Sequence, residues 1–392
     1  MMKVLQINTT YDIGSTGRIM AGIDNILMEE GIDSYCAFGY GNRIDEHHYK
    51  IINKVDSKIH NALSRLTDSQ GLHSTIKTRQ FIKWLEKVNP DIVHLHNLHG
   101  NYLNYKLLFL YLQNSKCKVV WTLHDCWPFT GHCAYFDMAG CDKWKTECCR
   151  CPQIHCYPPS LVDKSNYNFQ LRRRLFTSLS NRLIMVPVSE WLAGLLKESF
   201  FSKTPIITIH NGINLSNFKH YGRNSDSPYI IGVAAPWDKR KGLADFIKLR
   251  EMLDQKIGIT LVGLTKSQIA SLPQGLRGIE RTNNVQELAK LYSGASVFVN
   301  TTYEDNYPTV NLEAIACGTP VITYRTGGSP ESVLGSCGFV IPQDDIQSLK
   351  NAVIELVSNN IAAEVLVRIA KANFDEKNCF RSYLELYKSL CL

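Results

Sequence analysis

Short apolar runs alternate along this chain with longer stretches in which apolar residues recur every three or four positions. That alternation predicts buried parallel strands joined by helices that cover the faces of a sheet. Strands are expected at Lys3 to Asn8, Ser34 to Phe38, Asp91 to His96, Lys118 to Leu123, Leu183 to Val188 and Pro205 to His210. The series restarts at Tyr229 to Ala235, Gly258 to Gly263, Ser296 to Asn300 and Pro320 to Tyr324. Helical periodicity runs over Thr75 to Val88, Asn104 to Gln113, Asn166 to Leu179 and Val285 to Ser293, and opens after Ser189 and after Gly242. Three more helical patterns follow Asp344, and Tyr383, Leu386, Tyr387 and Leu390 give the last its apolar stripe. The first helix follows a loop from Tyr11 to Gly17 and buries Ile19, Ile23, Ile26 and Leu27. Gly14 and Gly17 make this a phosphate-binding kind of start, with a simple tight turn as the other reading. Gly-Ser-Thr-Gly is not the G-x-G-x-x-G dinucleotide fingerprint, so a nicotinamide cofactor has weak support.

The most informative stretch is NTTYEDNYPTVNLEAIACGTPVITYRTGGSPES, Asn300 to Ser332. Pro308 suits a first helical position and Gly318 followed by Pro320 a stop, so Pro308 to Cys317 reads as a short helix between two strands. Its N-terminus meets Glu304, Asp305, Asn306 and Tyr307. Such an end offers unbonded N–H groups and a positive partial charge, which suits a phosphate; the two acids would otherwise serve as caps. Glu313 sits in an apolar run and needs a basic partner or the hydroxyls of a bound molecule.

Seven residues separate Asp305 from Glu313; Ala-x-x-x-Gly-x-Pro and then Gly327-Gly328-x-x-Glu331 follow. This spacing resembles the donor-binding region of the family 4 glycosyltransferases, retaining and metal-independent enzymes with two facing Rossmann-like α/β domains, the GT-B fold. The family usually has Glu where this chain has Asp305, and Gly-Phe-Gly or Gly-Phe-Pro where it has Asn306-Tyr307-Pro308. The resemblance implies that Glu313 accepts hydrogen bonds from the nucleotide ribose. It also implies that Asp305, Asn306 and the Tyr307, Pro308, Thr309 and Val310 backbone hold donor sugar and diphosphate. In the loop PWDKRKG, Lys241 before Gly242 matches a family lysine that neutralises the leaving diphosphate. Pro236 stands where the family has an arginine, and Arg240 is the candidate to replace that charge. Gly14 and Gly17 fall where the family packs a loop on donor phosphates or acceptor. His124, just past a strand end, resembles a histidine placed beside the donor sugar, with Asp125 near enough to bias its tautomer or to meet the acceptor hydroxyl. His96 is a second candidate, and His94 belongs to the core by strand alternation. Asn283 and Asn284 lie where the family reads the base, or serve as helix caps.

By the same resemblance, residues 1–215 form the acceptor domain, 216–375 the nucleotide-sugar donor domain and 376–392 a helix returning to the first. The polar run HYGRNSDSP marks the boundary, between about Asn211 and Pro228. The expected reaction transfers a sugar from a UDP- or GDP-linked donor to a saccharide acceptor, lipid-linked, in polysaccharide biosynthesis, with His124, Asp305 and Lys241 as catalytic residues. The alternatives are a nucleotide-sugar epimerase of related fold and a non-enzymatic, zinc-stabilised binding protein.

Composition fits a large globular enzyme: 392 residues exceed one ordinary core, with 44% hydrophobic and 20% charged residues. No apolar run approaches the ~20 residues of a spanning helix, and MMKVLQINTT reads as a strand rather than a signal peptide. A cytoplasmic protein is expected, with peripheral contact at the inner face of the cell membrane. The net charge of +7 favours anionic partners, but no basic stripe argues for nucleic acid. Arg172, Arg173 and Arg174 spread around a helix and read as solvated or ion-paired, with an anionic lipid as the sharper reading.

Seven of the 13 cysteines crowd into Cys126 to Cys156, CWPFTGHCAYFDMAGCDKWKTECCRCPQIHC. Cys148-x-x-Cys151 is a chelating pair, and Cys133 and Cys141 are the best further ligands for a structural zinc; catalysis itself requires no cofactor on this reading. Reduced thiols, a Cys133 to Cys141 disulfide and an iron–sulfur cluster are the rivals. Trp127, Phe129, Tyr135 and Trp144 offer stacking faces for sugar rings or half-buried packing.

Overall fold

The computed structural model describes residues 2–223 and 227–391. Part of the polar run expected to carry the boundary, residues 224–226, lies outside the described residues. The chain divides into two compact units, Met1–His210 with Phe380–Leu392, and Asn211–Cys379.

The first unit carries β1 (Lys3–Thr10), α1 (Gly14–Glu29), β2 (Asp33–Tyr40), β3 (His48–Lys50), α2 (Lys54–Thr67), α3 (Thr75–Val88), β4 (Ile92–Leu95), α4 (Tyr105–Asn114), β5 (Lys118–Leu123), α5 (Ser165–Phe176), β6 (Leu183–Pro187) and α6 (Glu190–Glu198). All six strands are parallel, in the order β3-β2-β1-β4-β5-β6. The second unit repeats the plan. It contains β7 (Tyr229–Val233), α7 (Leu243–Met252), β8 (Gly258–Val262), α8 (Lys266–Ala270), β9 (Leu276–Ile279), α9 (Val285–Gly294), β10 (Val297–Asn300), α10 (Thr309–Ala316), β11 (Val321–Tyr324), β12 (Gly338–Ile341), α11 (Ile346–Ser358) and α12 (Ala363–Asn373). Its parallel order is β12-β11-β10-β7-β8-β9. Each sheet therefore has the Rossmann order and reverses direction once, between β1 and β4 and between β7 and β10. Central strands are sealed on both faces: Val4, Leu5, Ile7, Val297 and Phe298 have no exposed surface.

Pro205 to His210 forms only an isolated bridge, Met185 to Ile206, although the Ile207 and Ile209 N–H groups reach the Met185 and Pro187 carbonyls. Pro205 has no N–H to extend the ladder. β3, α2, α8, β9 and β12 are elements that the pattern did not predict.

The last helix, α13 (Glu376–Leu390), passes into the first unit at Phe380. There Gly22 of α1 leaves the space that the Phe380 ring fills, since a Cβ would overlap it. Tyr383 and Tyr387 reach the strands through buried polar groups. The Tyr387 hydroxyl donates to His94 Nδ1 at 2.6 Å, His94 Nε2 donates to the Thr122 hydroxyl at 2.7 Å, and Thr122 donates to the Tyr383 hydroxyl at 3.0 Å. A neutral imidazole satisfies all these partners, and burial holds His94 well below its ordinary pKa, with His124 nearby adding to the shift.

α2 has inverted polarity. Its buried residues are Ser57, His60 and Ser64, whereas Val55, Ile59 and Leu66 are 66%, 53% and 56% exposed and Leu63 is exposed beside them. At 100° per residue these four form one outward stripe, bordered on one side by exposed Lys54, Lys58 and Arg65. Leu161, also exposed, is tied to this helix by its N–H on the Arg65 carbonyl at 2.8 Å. No helix among the described residues is long and apolar enough to cross a membrane.

Because His94 stays neutral in the folded chain and protonates near pH 6.5 when unfolded, its contribution is intact above that pH and lost below it. The loss approaches about 1.4 kcal/mol per pH unit below the unfolded pKa. Thermal unfolding between pH 7 and pH 5 should therefore show a slope that His94→Gln reduces by close to one proton. An identical slope in the variant would contradict the buried neutral assignment.

Candidate active site

The loops leaving β7 and β10 flank the point where the second sheet reverses, the place where open parallel sheets bind ligands. After β7 the Asp238 side chain accepts the Arg240 N–H at 3.0 Å and starts a short turn over Lys239–Lys241. The Arg240 carbonyl accepts the Tyr303 N–H at 2.6 Å, and the Thr301 hydroxyl lies 3.0 and 3.1 Å from the Lys241 and Gly242 carbonyls. Gly242 permits this lacing: its φ is +68°, and a Cβ there would overlap the Thr301 carbonyl.

The result is a directed lysine. Lys241 Nζ donates to Asp305 Oδ2 at 2.8 Å and to the Thr302 hydroxyl at 3.3 Å, with the charged side chains 22% and 23% exposed. Asp305 is held from its other side as well. Its Oδ1 accepts the Tyr307 N–H at 3.3 Å, its carbonyl accepts the Gly328 N–H at 3.2 Å, and Gly327 at φ +51° has no Cβ to strike that carbonyl. Arg240 pairs with Asp238, Nη2 and Nε lying 3.1 and 3.3 Å from Oδ2, while Lys241 pairs with Asp305.

α10 begins at Thr309, one residue later than the pattern predicts. Pro308 is its N-cap, with φ −72° and ψ 109°, and its ring provides no side-chain cap for the first turn. The carboxylate that could have capped it, Asp305, is committed to Lys241 and Tyr307. Thr309 and Val310 in that turn are half-buried, while Asn306 and Tyr307 before it are buried. A helix end with basic charge beside its approach loop suits a phosphate group. One turn further in, Glu313 is buried and accepts a hydrogen bond from the Tyr292 hydroxyl at 3.2 Å. The base-reading candidates resolve into helix capping: Asn284 accepts the Glu287 N–H at 2.8 Å, and Asn283 donates to the Glu287 carboxylate at 2.9 Å.

In the first unit, His96 Nδ1 lies 3.1 Å from His124 Nε2, and His96 Nε2 lies 3.2 Å from Gln6 Oε1. The Gln6 amide is oriented by donating to the Met20 carbonyl at 3.2 Å. A carboxamide oxygen only accepts, so His96 carries its proton on Nε2 and accepts at Nδ1 from His124. Burial, partly opposed by Asp125, brings His124 down to about 4, and burial with the neighbouring histidines holds His96 well below its ordinary pKa. Both rings are therefore neutral hydrogen-bonding groups near pH 7. Asp125 was expected to fix the His124 tautomer, but Oδ2 takes His99 Nε2 at 2.7 Å and Oδ1 takes the Trp127 N–H at 3.0 Å. That His99–Asp125 pair, completed by the Tyr157 hydroxyl 3.1 Å from His99 Nδ1, had no local signal in the sequence.

Gly14 opens α1 at φ +68° with open space where a side chain would stand. Gly17, expected in the loop, lies inside the first turn of α1, and a Cβ there would come 2.7 Å from Thr10 Oγ1; its bareness serves helix–strand packing. Arg172 is buried over the Trp127 ring, 3.7 Å from its centroid, and donates to the Trp127 and Thr130 carbonyls at 2.9 and 3.0 Å, whereas Arg173 and Arg174 are exposed. Trp127, Phe129 and Trp144 are buried rather than presented as stacking faces.

Comparison with known proteins agrees with this architecture. Residues 29–217 match the profile described as Glycosyltransferase Family 4, and residues 227–359 match Glycosyl transferases group 1. An Escherichia coli (strain K12) protein provisionally named the colanic acid biosynthesis glycosyl transferase WcaC is 24% identical over 99% of this chain and 100% of its own. Among solved structures, sucrose-phosphate synthase from Thermosynechococcus elongatus superposes with a TM-score of 0.71 at 15% identity, covering 100% of this chain and 99% of the other. HepE from Anabaena, solved in complex with UDP-glucose, gives 0.66 at 13% identity over 99% and 100% of the two chains. These two likenesses establish the shared GT-B fold. Matched in both units by glycosyltransferase profiles, the chain belongs to the family 4 glycosyltransferases.

Proposed function

We propose that this enzyme transfers a glycosyl group from a nucleotide sugar to a hydroxyl of a lipid-linked saccharide, with retention of configuration, in polysaccharide biosynthesis. The observation that carries the donor assignment is the Lys241–Asp305 pair beside the first turn of α10. As the glycosidic bond to the nucleotide breaks, negative charge builds on the departing diphosphate. Lys241 and the α10 N–H groups are positioned to stabilise it, and Asp305, released from Lys241, can accept hydrogen bonds from sugar hydroxyls. Glu313, with Tyr292 holding one oxygen, accepts from the ribose. In the first unit His124 is a neutral imidazole whose Nε2 proton is directed at His96. No catalytic metal is required in this scheme. The name of the Escherichia coli relative supports a polysaccharide pathway, and the UDP-glucose complex of HepE supports a nucleotide-sugar donor.

The outward apolar stripe of α2 supports a membrane-borne acceptor. Apolar residues bordered by lysine and arginine, on a helix whose buried face is polar, match a helix lying in the interface of an anionic bilayer. Docking there would place the enzyme on the surface where a lipid-linked saccharide resides.

A radiolabelled panel of UDP- and GDP-sugars should yield one donor that raises the melting temperature and is consumed with release of nucleotide. Lys241→Ala should lower kcat by ~10²–10³-fold with circular dichroism unchanged. Glu313→Gln should act mainly on the donor KM, by about tenfold. Isomerised donor without nucleotide release would contradict transfer, and full activity in Lys241→Ala would remove the proposed site.

Vesicles containing phosphatidylglycerol should sediment the wild-type protein in a salt-sensitive manner, and Ile59→Glu with Leu66→Glu should abolish this while leaving turnover of a detergent-free, short-chain acceptor analogue intact. Equal sedimentation of the variant would contradict the assignment. So would a dimer that the same substitutions dissociate without any effect on vesicle binding.

A further inference from the structure

The cysteine-rich segment has too little secondary structure to hold itself. Between β5 and α5 its only helical elements are two single 3-10 turns, Trp127–Phe129 and Lys143–Lys145, beside a small aromatic cluster in which Phe136 and Trp144 stack with centroids 5.0 Å apart. At its centre is a cavity of about 10 Å³, room for one small ion, lined by Cys133, Cys141, Cys148, Cys151 and His132. All four cysteines are free thiols.

Three features point these side chains at a common ligand. Arg150, inside the Cys148-x-x-Cys151 turn, stands in the left-handed region at φ 46°, and both cysteines of the turn line the cavity. Backbone N–H groups already serve the sulfurs: Gly131 donates to Cys148 Sγ at 3.2 Å and Gln153 to Cys151, the kind of bond that stabilises a thiolate. The third feature is independent of the cysteines. His132 is 2% exposed, its Nδ1 is held by the Asp68 carboxylate, and its Nε2 has no partner. An imidazole oriented by a carboxylate, with its other nitrogen buried and unsatisfied, is the arrangement of a metal-ligating histidine.

We propose that this cavity binds one structural Zn²⁺ through Cys133, Cys148 and Cys151, with the fourth position taken by either Cys141 or His132. Closed tetrahedral coordination leaves no open position for chemistry, so the ion's role is to fold the segment. Binding displaces the thiol protons to solvent, so affinity falls on acidification. The segment continues directly from His124 and Asp125, and the ion would fix the Trp127 backbone that Arg172 and Asp125 grip.

Protein purified without chelators should contain one zinc per chain by plasma emission spectrometry and native mass spectrometry. A mercurial reagent should release that zinc as three or four thiols are titrated. Cobalt substitution should give intense sulfur-to-cobalt charge-transfer bands, with the d–d envelope distinguishing four sulfurs from three sulfurs and one nitrogen. Cys148→Ser with Cys151→Ser should lose the zinc and lower the melting temperature, whereas Cys149→Ser with Cys156→Ser should retain it. Since the first variant could fail to fold, the wild-type metal content decides. Chains free of zinc with all candidate thiols open to Ellman's reagent, a disulfide among them, or iron in place of zinc would each overturn the proposal.

Discussion

The second unit depends on one contact, a lysine on the loop after β7 meeting an aspartate on the loop after β10. At about a fifth exposure such a pair contributes little to stability, on the order of 1 kcal/mol or less. Its significance is positional. The loops are already joined through backbone atoms, by the Tyr303 N–H on the Arg240 carbonyl and the Thr301 hydroxyl on the Lys241 carbonyl. Two glycines, Gly242 and Gly327, allow the backbones to approach so closely. The ammonium group is thus held near the N-terminus of α10 before any ligand arrives, the preorganisation on which the proposed stabilisation of a departing diphosphate relies.

The first unit places its polar groups differently. Strands buried on both faces would ordinarily be apolar, yet Gln6, His94, His96 and Thr122 lie on or just past β1, β4 and β5 without exposure. They divide into two functions that burial alone does not separate. His94 with Thr122 and Tyr387 fastens the C-terminal helix to the sheet. Gln6, His96 and His124 form a relay that ends at a candidate substrate group with its proton position determined. Both sets rely on neutral imidazoles, which complete hydrogen-bond chains that a charged ring would break.

Much of this was legible in the sequence because parallel strands are short, apolar and bounded by turn residues. β5 falls where its pattern begins and ends, and Pro308 with Gly318 and Pro320 located α10 to within a residue at each end. What escaped has physical causes. β3 is a three-residue strand, His-Tyr-Lys, with no apolar run. α2 keeps its apolar residues outside, so the usual inference from stripe to core fails there. Arg172 looked like its two neighbours, and only the placement of Trp127 beneath it turned one arginine into a buried hub. Asp125 pairs with His99, 26 positions away, a choice made by the ends of two strands rather than by local sequence.

The central claim is that Lys241 and Asp305 exchange each other for the donor. A crystal structure with an intact nucleotide sugar, or its unreactive analogue, tests this most directly. The account predicts Lys241 Nζ and the Thr309 and Val310 N–H groups on diphosphate oxygens, Glu313 on the ribose, and the Asp305 carboxylate turned from lysine to sugar. A nucleotide bound elsewhere, with the Lys241–Asp305 contact still closed, would contradict it.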